Sequence, residues 1–97
     1  MDSIKSFSPK TNSELNELFK KLFTTNLNYS IIIDLTGLKD VNFLNDIRKL
    51  SNFSKKNKKS LVIVSSDLSC DKVNVVPTLS EAYDVIELEE IERDLLS

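Results

Sequence analysis

The stretch SIIIDLTGLKDVNFLNDIRKL, residues 30–50, decides the fold class. Its opening is short, β-branched and apolar without alternation, the pattern of a strand covered on both faces in a parallel sheet. Gly37, the only glycine in the chain, marks a turn straight after it. A helix is then expected from about Asn42 to Lys55, with Phe43 or Leu44, Ile47, Leu50 and Phe53 facing inward. It ends in KKNKK, Lys55 to Lys59, where positive charge complements the carboxyl end of a helix dipole.

Working outward, SLVIVSS (60–66) is a second wholly apolar strand. Upstream, Leu15, Leu18, Phe19, Leu22 and Phe23 form one apolar stripe on a helix. Thr11 with Glu14 three residues on is a capping-box pattern that fixes its start. Residues 3–8, SIKSFS, alternate weakly and suit a short edge strand halted by Pro9. Downstream, DLSCDKVN (67–74) is too short for a full helix and leads to a brief strand at Val75 and Val76. A last helix opens with a second capping box, Thr78 and Glu81, and is expected to bury Leu79, Ala82, Val85 and Ile86. Helical crossovers between apolar strands predict a single α/β domain over residues 1–97, a small, mainly parallel sheet flanked by helices.

Composition narrows the chemistry. The 97 residues are 40 % hydrophobic and 29 % charged with net charge −2, which offers no general attraction to nucleic acid or to an anionic membrane. No apolar run approaches the roughly 20 residues of a membrane span, and the N-terminus MDSIKSFSPK lacks a signal-type core. A single cysteine fits a reducing compartment, so a cytoplasmic location is expected. The chain contains no histidine. That removes Ser–His–Asp and Cys–His catalysis and, with one cysteine, argues against tetrahedral zinc. No cofactor is expected.

These motifs together resemble the STAS domain, the anti-sigma-factor-antagonist fold, over roughly residues 11 to 90. The resemblance rests on IIIDLTGL, the helix ending in KKNKK, SLVIVSS, and VVPTLSEAYDVI some forty residues after DLTG. It implies a non-enzymatic regulatory module of bacterial type that acts by binding another protein. It also implies that the turn and the second helix, through Asp34, Thr36, Asp40, Asn42 and Asn45, form a partner-binding surface. The family's phosphorylatable Ser or Thr at the start of that helix has no counterpart in KDVNFLND, residues 39–46. The tail VVPTLSEAYDVIELEEIERDL (75–95) also resembles small bacterial proteins that carry the label ribonuclease Z. That enzyme is a far longer, histidine-rich zinc nuclease, so the label implies a nuclease reading that a chain without histidine does not support.

Individual residues have functional and structural readings. Asp34, at the exit of a parallel strand, suits phosphotransfer with Mg²⁺, or accepts hydrogen bonds from the turn amides of Thr36 to Leu38. Ser65, Ser66 and Asp67 share that sheet edge but lack a glycine-rich phosphate cradle, and read as a polar exit loop. Cys70 sits beside Asp71, whereas a nucleophilic cysteine needs a cationic or helix-N-terminal setting. Lys55 to Lys59, without interleaved aromatics, read as a solvated helix end. In the last helix the apolar stripe shifts beyond Glu87 to Leu88, Ile91 and Leu95, flanked by acids. That second stripe is either a face for a partner or a homodimer, or a kinked end covering the sheet edge.

Overall fold

The structure, a computed structural model, describes residues 3–38, 44–68, 70 and 73–96. Four strands, β1 (Ile4–Phe7), β2 (Ser30–Asp34), β3 (Leu61–Val64) and β4 (Asn74–Val76), form one sheet in the order β1-β2-β3-β4, with every neighbouring pair parallel. Among the described residues three helices accompany them: α1 (Asn12–Phe23), α2 (Leu44–Lys56) and α3 (Leu79–Leu96). The central strands are the two apolar runs, Ile31–Ile33 and Leu61–Val64 all being buried. The edge strands β1 and β4 are only partly buried, which is why their sequences mix polar and apolar residues.

Pleating divides the side chains between two cores. Ile31, Ile33, Leu61 and Ile63 point to one face and pack with Leu15, Phe19 and Leu22 of α1 and with Ile47 and Leu50 of α2. Phe23 joins the two helices, its ring 5.9 Å from that of Phe53. Ile32, Val62 and Val64 point to the other face and meet Ala82 and Ile86 of α3. Topology explains this asymmetry. In a sheet ordered 1-2-3-4, crossovers of one hand all pass over the same face. α1 and α2 take two of those passages. The β3–β4 connection supplies Leu68, Cys70 and Val73 to the same core in place of a third helix. Past β4 the described residues contain no further strand, and α3 turns onto the opposite face.

Helix ends are set as the sequence indicates. The Glu14 amide donates to Thr11 Oγ1 at 3.1 Å, and the Glu14 carboxylate accepts from the Thr11 amide at 3.2 Å, completing the capping box. At α3 the box expected from Thr78 and Glu81 is half formed: the Glu81 amide donates to Thr78 Oγ1 at 3.2 Å, without the reciprocal bond to the Glu81 carboxylate. The lysine-rich end of α2 holds more than compensating charge. The Lys59 amide reaches Ser54 O at 2.8 Å and the Lys58 amide reaches Lys55 O at 3.0 Å, a Schellman pair of bonds. Lys58 occupies its left-handed position at φ 58°, which a residue with a Cβ adopts at a cost.

One expectation changes, and another holds in place though not for a conformational reason. Leu79 is 41 % exposed rather than buried, because as the first residue of α3 it stands where β4 has already ended at Val76. Gly37 lies in the turn after β2 but has no positive φ, and a Cβ there would make ordinary contact with Lys10 Cδ at 3.4 Å. The turn therefore does not require glycine. Phe43, offered as an inward residue of α2, lies outside the described residues; Leu44 is half-buried against the core.

Candidate functional site

The carboxyl edge of a parallel sheet is where α/β proteins usually receive ligands. Here Asp34 closes β2, and its Oδ1 accepts from the Thr36 amide at 3.0 Å and from Thr36 Oγ1 at 2.6 Å. Two residues apart, these groups form an Asx-type turn, in which a side chain takes the place of a backbone carbonyl. The Leu38 amide does not join them. It bonds to Leu35 O at 3.0 Å, while the Leu35 amide extends the pairing with β3 through Val64 O at 2.8 Å. Asp34 thus shapes the turn through Thr36 alone.

The neighbouring loops satisfy themselves in the same way. Ser65 Oγ accepts from the Asp67 and Leu68 amides at 3.3 and 3.1 Å. The Glu14 carboxylate takes the Lys10 amide at 2.7 Å as well as that of Thr11, so the two amides just before α1 already face an anion. Three loops of this edge hold their own acceptors against their own donors. Asn45, on the first turn of α2, is exposed and accepts from Arg48 Nη1 at 3.4 Å. Asp40 and Asn42, proposed beside it, lie outside the described residues. Cys70 is buried in the core under α1 and α2, so it serves packing. Among the described residues, no three His, Cys, Asp or Glu side chains gather as a metal-ligand set.

At the opposite pole, between the end of α2, the starts of β3 and β4, and α3, lies a groove of about 540 Å³. Lys55, Lys58, Lys59 and Arg93 line it together with Glu89 and Glu92, so positive charge prevails. Its polar contacts have a structural use. Arg93 Nη1 donates to Ser60 Oγ at 3.1 Å, and Asn74 Nδ2 donates to Glu89 Oε2 at 2.9 Å. They tie the second half of α3 to the sheet.

Those two bonds settle which side of α3 faces inward. Ala82, Ile86, Glu89 and Arg93 follow one another at helical spacing, so the inward stripe begins apolar and ends polar. The helix runs unbroken from Leu79 to Leu96. Leu88, Ile91 and Leu95, spaced i, i+3, i+7, therefore fall on its outer side and are 60 %, 51 % and 80 % exposed. Periodicity alone left open whether they were core or surface, because α3 has apolar residues on two opposed sides. The signal that separates them is Arg93, whose polar partner Ser60 is distant in sequence and invisible to a helical count. Exposed large hydrophobic side chains among the described residues all lie on α3: Leu79, Tyr83, Leu88, Ile91, Leu95 and Leu96.

No protein-family model, curated protein or solved structure matches this chain. Among the described residues no helix is long and apolar enough to cross a membrane.

Proposed function

We propose that this chain is a non-enzymatic, STAS-like interaction module of the cytoplasm, without the family's usual phosphorylatable residue, and that α3 is the face on which it binds protein. The observation that carries this reading is the row Leu88, Ile91 and Leu95, half to four-fifths exposed on a well-formed helix. Isolated exposed leucines are ordinary, whereas an aligned apolar row rimmed by polar groups marks an interaction surface. The turn at Asp34 supports the reading from the other side. Its carboxylate is engaged by Thr36, which suits a fixed recognition shape better than a phosphoryl acceptor.

The test is affinity capture from the native cell at native expression, with wild type, Leu88→Lys/Ile91→Lys and Asp34→Asn compared side by side. The double lysine variant is expected to lose the captured protein while Asp34→Asn largely retains it. Equal capture by wild type and the double variant would remove α3 from the account. Phosphoryl incorporation that disappears in Asp34→Asn would replace the whole reading with phosphotransfer.

A further inference from the structure

Resting on the reading of α3 as the binding face, we infer that its occupant is an amphipathic helix of another protein, with an apolar stripe flanked by lysines or arginines, and not a second copy of this chain. Charge supplies the first argument. α3 carries seven acids, Glu81, Asp84, Glu87, Glu89, Glu90, Glu92 and Asp94, against the single cation Arg93, a net −6 on one helix. The remaining eight acids and twelve cations give the rest of the chain +4, so the modest total of −2 conceals a strong segregation. Arg93 is turned inward to Ser60, leaving the outer side of α3 without a cation. Around Leu88, Ile91 and Leu95 the charged residues three or four positions away are Asp84, Glu87, Glu92 and Asp94.

The distribution of apolar surface supplies the second argument. A second copy would need an apolar counterpart for this row. Among the described residues, every exposed large hydrophobic lies on α3 itself. Self-association would therefore set α3 against α3 and place acids opposite acids in either orientation, which is unfavourable at an interface. A partner helix with the same apolar spacing and cationic flanks meets both requirements at once. An anionic membrane surface is disfavoured by the same charge.

The inference is tested with two synthetic peptides of about 20 residues, long enough to hold a helix. Both carry leucine at heptad a and d positions, one with lysine and the other with glutamate at the flanks. Binding to the full chain is followed by fluorescence anisotropy, with sedimentation run in parallel. The lysine peptide is expected to bind saturably, about tenfold or more tighter than the glutamate peptide, and to weaken as salt rises from about 50 to about 500 mM. Leu88→Ser/Ile91→Ser, at exposed positions that leave the fold intact, is expected to weaken it about tenfold or more. Glu87→Gln/Glu92→Gln should weaken it while leaving the apolar row in place. Equal binding of both peptides, or undiminished binding to the serine variant, overturns the inference. A dimer abolished by that variant also overturns it, yet leaves α3 as an interaction face. If neither peptide binds while native capture still depends on Leu88 and Ile91, the cationic helix alone is refuted. Capture that ignores those residues refutes the reading beneath it.

Discussion

Replacing Asp34 with alanine separates a turn-forming carboxylate from a chemical one, because the two roles predict losses in different assays. One oxygen, Oδ1, serves two donors, the Thr36 amide at 3.0 Å and the Thr36 hydroxyl at 2.6 Å. Removing a side-chain cap of this kind costs about 0.5–2 kcal/mol. Bonds to a charged acceptor fall toward the upper end of such ranges, whereas the exposure of Thr36 lowers them. A loss of about 1.5 kcal/mol is therefore expected for Asp34→Ala. With a urea slope of roughly 1–1.5 kcal/mol per molar for a chain this short, the midpoint should fall by about 1 M. Asp34→Asn keeps a carbonyl acceptor and should lose about half as much. Thr36→Val removes only the hydroxyl bond and should lose a similar half. The double variant Asp34→Ala/Thr36→Val should cost less than the sum of its parts, since both changes delete the same contact. The reasoning is refuted if Asp34→Ala leaves the urea midpoint within about 0.2 M of wild type while abolishing partner capture or phosphoryl incorporation.

Three further outcomes follow from the packing. Ile86→Ala should destabilise by about 3 kcal/mol in urea unfolding, because Ile86 is wholly buried against the face formed by Ile32, Val62 and Val64. Lys58→Gly should stabilise by about 0.5 kcal/mol, since glycine relieves the left-handed strain at φ 58° and loses part of that gain to unfolded-state entropy. A decrease in the thermal midpoint would contradict it. Leu88→Lys/Ile91→Lys should leave unfolding within about 0.5 kcal/mol of wild type, as expected for side chains half or more exposed. A loss of several kcal/mol would mean that the outer row is core after all.

The fold was legible where the physics is local or strongly patterned. Ile31–Ile33 and Leu61–Val64 read as doubly covered strands because both faces of the sheet are in fact occupied. Thr11 and Glu14 fixed the start of α1 because a capping box lies within four residues. Position along the sheet was harder to read. Leu79 has the apolar character and spacing of an inward residue, yet stands beyond the last strand. The direction of α3 was harder still, since Ala82 and Ile86 on one side compete with Leu88, Ile91 and Leu95 on the other. Only long-range contacts, Arg93 to Ser60 and Glu89 to Asn74, choose between them. At the candidate site the turn at Asp34 was readable because its partner is two residues away. The opposite groove, assembled from α2, β3, β4 and α3, has no counterpart in any contiguous motif.

Among the described residues α3 is the one helix on its side of the sheet, which bears on how the chain is born. The four strands and both helices of the other face are translated before it. Until α3 emerges, Ile32, Val62 and Val64 have no helix to cover them. At about 5–20 residues per second, its 18 residues take about 1–4 s to synthesise. Docking of α3 is therefore the step that seals the second core, whatever the order in which the other elements assemble.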